Sequence, residues 1–229
     1  MKNFLMIIAC LLAGSLLMAQ EPGTGYYAAD QSVFVLPTAH TMPKGSHALT
    51  SYELFLWQYS FAPTDRLHLS AGMVFPFNGE MLKTISLGAK YRYISQNLSN
   101  GAVWVSYTPD ANTMTAGNVF SYGTDRSSLH LVAAVATQFN DGDSQAFFGM
   151  GGILGLSRRA NLMGEVIAIP SSEWDDFEDM EMDSEYDGVV IFGLRFKGER
   201  ISWDLGGIRF LEDQGDIWAL PFVKGTFIF

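Results

Sequence analysis

Cysteine occurs once, at Cys10. It lies in a leading segment with Lys2 as its positive start and an apolar run from Phe4 to Met18, broken only by Cys10, Gly14 and Ser15. Leu17-Met18-Ala19 before Gln20 offers a small residue for signal peptidase, so residues 1–19 read as a cleavable signal peptide. A retained helix would need about 20 apolar residues and a positive flank behind them; here Glu21-Pro22-Gly23 follows. Removing residues 1–19 leaves 210 of 229 residues, a single domain over 20–229 without cysteine. Disulfides are then excluded, and stability must come from backbone pairing and burial.

Cations are scarce too. Lys and Arg number 14 against 24 Asp and Glu, and loss of Lys2 takes the net charge from −10 to −11. That balance argues against nucleic acid as a partner. Long apolar runs are also missing after the leader, since no stretch reaches the roughly 18 residues of a helical span. Helical periodicity is hard to find anywhere. Yet 48% of the chain is hydrophobic and 14% aromatic, which is rich for a soluble chain with 23 glycines. Insertion into a membrane through strands would resolve that tension.

Period-2 alternation recurs along nearly the whole chain. Between Thr84 and Tyr93, Ile85, Leu87, Ala89, Tyr91 and Tyr93 share one face, while Thr84, Ser86, Gly88, Lys90 and Arg92 share the other. Between Ser128 and Phe139, Leu129, Leu131, Ala133, Val135 and Phe139 oppose Ser128, His130, Ala134, Ala136 and Gln138. Such patterns mark strands with one apolar and one polar face. Twelve strands are predicted, at about 32–40, 46–61, 67–77, 83–94, 101–108, 114–123, 127–139, 145–156, 161–170, 186–196, 201–211 and 217–229. Shared among twelve, 210 residues leave about 17 for each strand and connection, enough for tilted spans of about 9–11 residues. The fold expected is an all-β, antiparallel transmembrane barrel.

Every other connection is tight and polar, as at Thr64-Asp65-Arg66, Ser95-Gln96-Asn97 and Ser157-Arg158-Arg159. The intervening ones include longer or more acidic segments, such as 140–143, 171–185 and 212–216. Short periplasmic turns and longer external loops give bacterial barrels that rhythm. With this phase, Tyr91, Tyr93, Phe196, Trp203, Phe227 and Phe229 fall at periplasmic strand ends on the apolar face. Phe75, Phe77 and Phe139 fall at the external ends. Two aromatic girdles around an aliphatic band suit a bilayer, and a soluble barrel has no need of that sorting.

The final run Val223-Lys224-Gly225-Thr226-Phe227-Ile228-Phe229 resembles the terminal β-signal of outer-membrane barrels, with Phe227 and Phe229 as its assembly signal. Pro43-Lys44-Gly45 opens a long predicted strand, and turns such as Ser157-Arg158-Arg159 are rich in arginine. Over about residues 30–229 the pattern resembles small, functionally unassigned outer-membrane barrels of the Bacteroidota type. The resemblance implies an integral outer-membrane location, lipid and lipopolysaccharide as surroundings, and the barrel assembly machinery as a partner during biogenesis. It carries no catalytic residue to transfer.

The polar face holds His68, Lys90, Arg92, His130, Glu165, Asp187, Arg195, Asp204 and Lys224. Charge at membrane depth must face an interior or water, so these are the candidate lumen-lining residues. One reading is a narrow porin-like path whose fixed charges set ion preference. The other is a closed structural or partner-binding barrel, its lumen filled by paired charges, with acidic external loops. The channel is the first expectation and the closed barrel the second. A lipid hydrolase is a more distant third: none of His40, His47, His68 and His130 lies in a recognisable catalytic motif. Asp179, Glu181, Asp183 and Glu185 would share one face of an extended loop and offer oxygens to a divalent cation, without the glycine or spacing of an EF-hand. A solvated acidic loop is the plainer reading, and no cofactor is otherwise expected. His40 and His47 are also close enough in sequence to pair at a first hairpin.

Overall fold

The computed structural model describes residues 31–74, 83–124, 126–140, 142–170, 186–198, 200–211 and 219–229, with the side chains of all of these except 186 and 187. Its twelve strands are β1 (His47–Tyr52), β2 (Leu56–Thr64), β3 (Leu67–Val74), β4 (Ser86–Gln96), β5 (Ser99–Thr108), β6 (Thr113–Gly123), β7 (Ser127–Gln138), β8 (Ser144–Gly155), β9 (Ala160–Pro170), β10 (Tyr186–Lys197), β11 (Ile201–Phe210) and β12 (Leu220–Ile228). Each pairs antiparallel with its sequence neighbours, and β1 pairs with β12, so the sheet closes into a barrel with no free edge. At the seam, His47 and Phe229 exchange both main-chain hydrogen bonds at 2.9 Å.

The number of strands agrees with the sequence pattern, but two assignments change. Residues 32–40 are not a strand; they lie within the barrel. The run 46–61 is two strands, β1 and β2, joined by a tight hairpin. Its central residues, Glu53 and Leu54, have φ of 51° and 64°, and Phe55 N–H donates to the Tyr52 carbonyl at 3.1 Å. Two successive left-handed residues match the strand twist in such turns, and Asn or Gly is the usual choice. Here strand β12 holds the strained pair instead. Glu53 N–H donates to the Val223 carbonyl at 2.8 Å, and the Glu53 carboxylate accepts from Val223 N–H at 2.6 Å.

The alternation sorts side chains to the two faces of the wall. Leu69, Leu87, Val103, Leu131, Val135, Leu162 and Leu205 are exposed on the outside, forming an apolar belt. Tyr91, Tyr93, Phe196, Trp203, Phe227 and Phe229 are exposed towards the end where β2–β3, β4–β5, β6–β7, β8–β9 and β10–β11 turn. Phe139 is exposed at the opposite, loop end; Phe75 and Phe77 lie outside the described residues.

Inside, three buried clusters each contain residues of the segment 31–42. Val33 and Phe34 pack with Ile153, Met163, Ile191 and Phe222; Leu36 and Ala39 pack with Ala102, Val119, Val132 and Ala134; Met42 packs with Ala48 and Ala62. Phe34 meets Phe222 edge-to-face at 5.4 Å. The barrel's core is therefore its wall packed around its own N-terminal segment.

Candidate functional site

Segment 31–42 folds into a compact loop. Val33 N–H donates to the Leu36 carbonyl at 2.9 Å, Thr38 N–H donates to the Gln31 carbonyl at 3.0 Å, and Ser32 bridges Pro37. This fold turns successive amide N–H groups towards one point, a concavity suited to an anion. Glu165 of β9 supplies it. Its carboxylate accepts from the N–H groups of Phe34 and Val35 at 2.9 Å each and from Leu36 at 3.1 Å.

Carbonyls of the same loop face cations. Arg195 of β10 donates to the Ser32 carbonyl at 3.0 Å and also to that of Val33. Lys224 of β12 donates to the Ser32 hydroxyl at 2.7 Å and to the Phe34 carbonyl at 2.8 Å. Between them stands Asp204 of β11, held by Arg195 through two bonds of 2.7 and 2.8 Å and lying 3.4 Å from the Lys224 ammonium. All four ionisable side chains are essentially fully buried. The register explains their meeting: Arg195 is opposite Asp204, and Asp204 is opposite Lys224, on three adjacent strands. Two carboxylates and two cations together leave no net charge in the cluster, which limits the cost of burying it.

Further contacts spread along the segment. Lys90 of β4 donates to the Gln31 and Thr38 carbonyls at 3.2 and 3.1 Å. Ala39 N–H donates to the Ser121 hydroxyl at 2.8 Å, which lies 2.7 Å from His130 Nδ1. His130 Nε2 is 2.8 Å from the Ser128 hydroxyl. Assigned from this network, the Ser121 proton goes to Nδ1 and the ring donates from Nε2. Room for the loop comes from glycine on the inner face of β8. A Cβ at Gly149 would meet Leu36 Cδ2 at 2.6 Å, and one at Gly151 would meet Val33 Cγ2 at 2.9 Å.

Of the charges and histidines on the polar face, His68, Lys90, His130, Glu165, Arg195, Asp204 and Lys224 are buried inside the barrel. Arg92 is half-buried near the turn end and donates to the Asp65 carbonyl at 2.8 Å. The side chain of Asp187 lies outside the described residues, as do the acidic residues Asp179, Glu181, Asp183 and Glu185 and the leader 1–19. Among the described side chains Asp204 forms ion pairs with Arg195 and Lys224, while Glu165 and Lys90 bind peptide groups of the segment.

His40 and His47 do not pair. His40 sits inside against His130, with ring centroids 6.2 Å apart. His47 faces outward, 2.5 Å from the Tyr59 hydroxyl and stacked on Phe61 and Phe229. Strand parity separates them: β1 begins at His47 and points it away from the lumen. Among the described residues no group of three or more His, Cys, Asp or Glu side chains is placed to hold a metal ion.

The seat of segment 31–42 was not anticipated from sequence. Two signals were present. Val33-Phe34-Val35-Leu36-Pro37 is a continuous apolar run without alternation, and Gly149 and Gly151 thin one inner face beside it. No known protein-family model matches the chain, and no curated protein shows significant similarity to it.

Proposed function

We propose that this is an integral outer-membrane β-barrel whose lumen is closed by its own segment 31–42, serving as a structural or partner-binding surface barrel. The observation that carries the closed reading is the grip of Glu165, Arg195, Asp204 and Lys224 on that segment. A water-filled path would leave these groups hydrated; here they are buried and spent on one loop. The Ser121–His130–Ser128 contacts are likewise committed to holding Ala39, so the reading is non-enzymatic.

Membrane location is supported by the outer face. A belt of exposed aliphatic side chains encircles a closed barrel, with exposed aromatics towards both its turn end (Tyr93, Phe196, Trp203, Phe229) and its loop end (Phe55, Tyr107, Phe139, Phe210). An apolar surface of that extent marks a membrane or a large interface. On this reading residues 1–19 direct export, Phe227 and Phe229 present the assembly signal, and the short turns face the periplasm. Relationship to barrels of the Bacteroidota type remains part of the same proposal.

The protein should fractionate with outer membranes and change electrophoretic mobility on heating. Leu131, exposed in the middle of β7, offers a sharper test. Leu131→Arg should cost roughly 2–4 kcal/mol near the bilayer midplane, whereas Thr115→Arg on the inner face of β6 should be better tolerated. Equal assembly of the two variants, or recovery of the wild type as a soluble periplasmic protein, would remove the membrane reading.

A further inference from the structure

A cavity of about 320 Å³ lies above segment 31–42 against strands β2 to β5. Gln31, Ser32, Val35 and Pro37 border it on the segment's side, and it extends to Leu56, Trp57 and Thr84 at the loop end. The space exists because the inner face is built from small residues there. One rung of the sheet is Ser60, Ser70, Gly88 and Ser106; the next is Gln58, Gly72 and Ser86. Its volume falls in the range of small-molecule pockets, about 300–1,000 Å³.

Below those rungs, His68, Lys90 and Trp104 stand directly opposite one another on three successive strands, all lining the cavity. Each has hydrogen-bonding capacity that no described residue uses. The Lys90 ammonium has three N–H groups, and its protein acceptors are the Gln31 and Thr38 carbonyls. Both ring nitrogens of His68 are buried without a partner, with the side chain 6% exposed, and Trp104 Nε1 is buried without one. Serine hydroxyls 70, 86 and 106 add further donors around the wall.

The charge pattern gives the ligand's sign. Arg195 and Lys224, the buried cations that reach segment 31–42 from β10 and β12, share Asp204. Among the described residues Lys90 has no carboxylate within ion-pair distance, and no carboxylate among them lines the cavity. A buried charge is costly unless an opposite charge meets it. We propose that this cavity is a binding site for a small organic carboxylate, whose oxygens take the third Lys90 proton and the Trp104 and His68 donors. A single cation matches a single negative charge. Val35, Pro37, Tyr52 and the Trp104 ring give the organic part an apolar wall. The inference goes beyond closure of the barrel, since it needs only the seated segment and the wall around it.

The test is titration calorimetry on the full chain purified in detergent micelles at neutral pH, with butyrate, benzoate, inorganic phosphate and glucose as probes. Butyrate or benzoate should bind saturably, more tightly than phosphate, and glucose should give no binding heat. Trp104→Phe and His68→Phe should each weaken carboxylate binding at least about tenfold, the loss expected when a donor to a buried charge is removed. His68 neither hydrogen-bonds segment 31–42 nor belongs to the clusters that pack on it, so His68→Phe should keep the wild-type resistance to heating; Trp104 packs against the Leu36 and Ala39 cluster, and its variant is compared on binding by the folded fraction. Lys90→Met should abolish binding, and Lys90→Arg should retain part of it. The proposal is overturned if neither carboxylate binds the wild type up to about 10 mM, if glucose or phosphate binds in preference, or if the Trp104 and His68 variants bind as the wild type does.

Discussion

Asp204→Ala should be among the most destabilising single substitutions in this barrel, costing about 3–5 kcal/mol. Asp204 is the shared counter-charge of Arg195 and Lys224, and all three are at most 1% exposed. Removing it leaves two cations out of water without the carboxylate they share. Neither reaches solvent in the wild type, because each projects from the wall into packed interior and is at most 1% exposed. The measurement is the midpoint of unfolding in denaturant, followed by the electrophoretic shift between folded and heated forms. Asp204→Asn should recover part of the loss by keeping one acceptor for the guanidinium. A double variant, Asp204→Leu with Arg195→Met, should be less harmful than Asp204→Ala alone, because burying no charge is cheaper than burying an unpaired one. Wild-type stability in Asp204→Ala would mean that the cluster is hydrated and does not hold the loop.

Glu165→Gln should loosen the segment without dismantling the wall. The carboxylate accepts three N–H groups of the loop, and bonds to a charged group are worth about 1.5–3 kcal/mol each. An amide keeps one acceptor oxygen and turns an NH2 group towards a loop that offers only further donors at that point. It also leaves the cluster with two cations and one anion. The net expectation is a weakening of about 3–5 kcal/mol, concentrated on residues 31–42. Phe34, with no exposed surface in the wild type, should become a chymotrypsin cleavage site while the barrel stays folded. A variant in which Phe34 is as protected as in the wild type would show that packing alone seats the loop.

The sheet was legible in the sequence wherever one face was apolar and the other polar. From β3 to β12 the alternation and the polar turns place every strand to within a few residues. Two local features escaped for separate physical reasons. The β1–β2 hairpin uses Glu53 and Leu54 in left-handed conformation, stabilised by Val223 about 170 residues away, so no turn residue marks it. Residues 32–40 have the composition of a strand, yet Pro37 and the bonds to Glu165 hold them as a compact loop. The two departures offset each other, which left both the strand number and the phase of turns and loops intact. Charge on the polar face could be read from spacing; its partners could not. Lys90 and Glu165 satisfy peptide groups of a segment whose interior position only the closed structure reveals.

Closure by the chain itself is the central claim, and planar-bilayer conductance tests it most directly. Purified wild-type protein should insert without discrete conductance steps, because residues 31–42 occupy the lumen and are tied to β4, β9, β10 and β12. A variant lacking residues 31–42 should open discrete steps. Its ion preference should follow the newly hydrated charges, among them Lys90, Glu165, Arg195, Asp204 and Lys224. Wild-type conductance equal to that of the deletion variant would contradict the account.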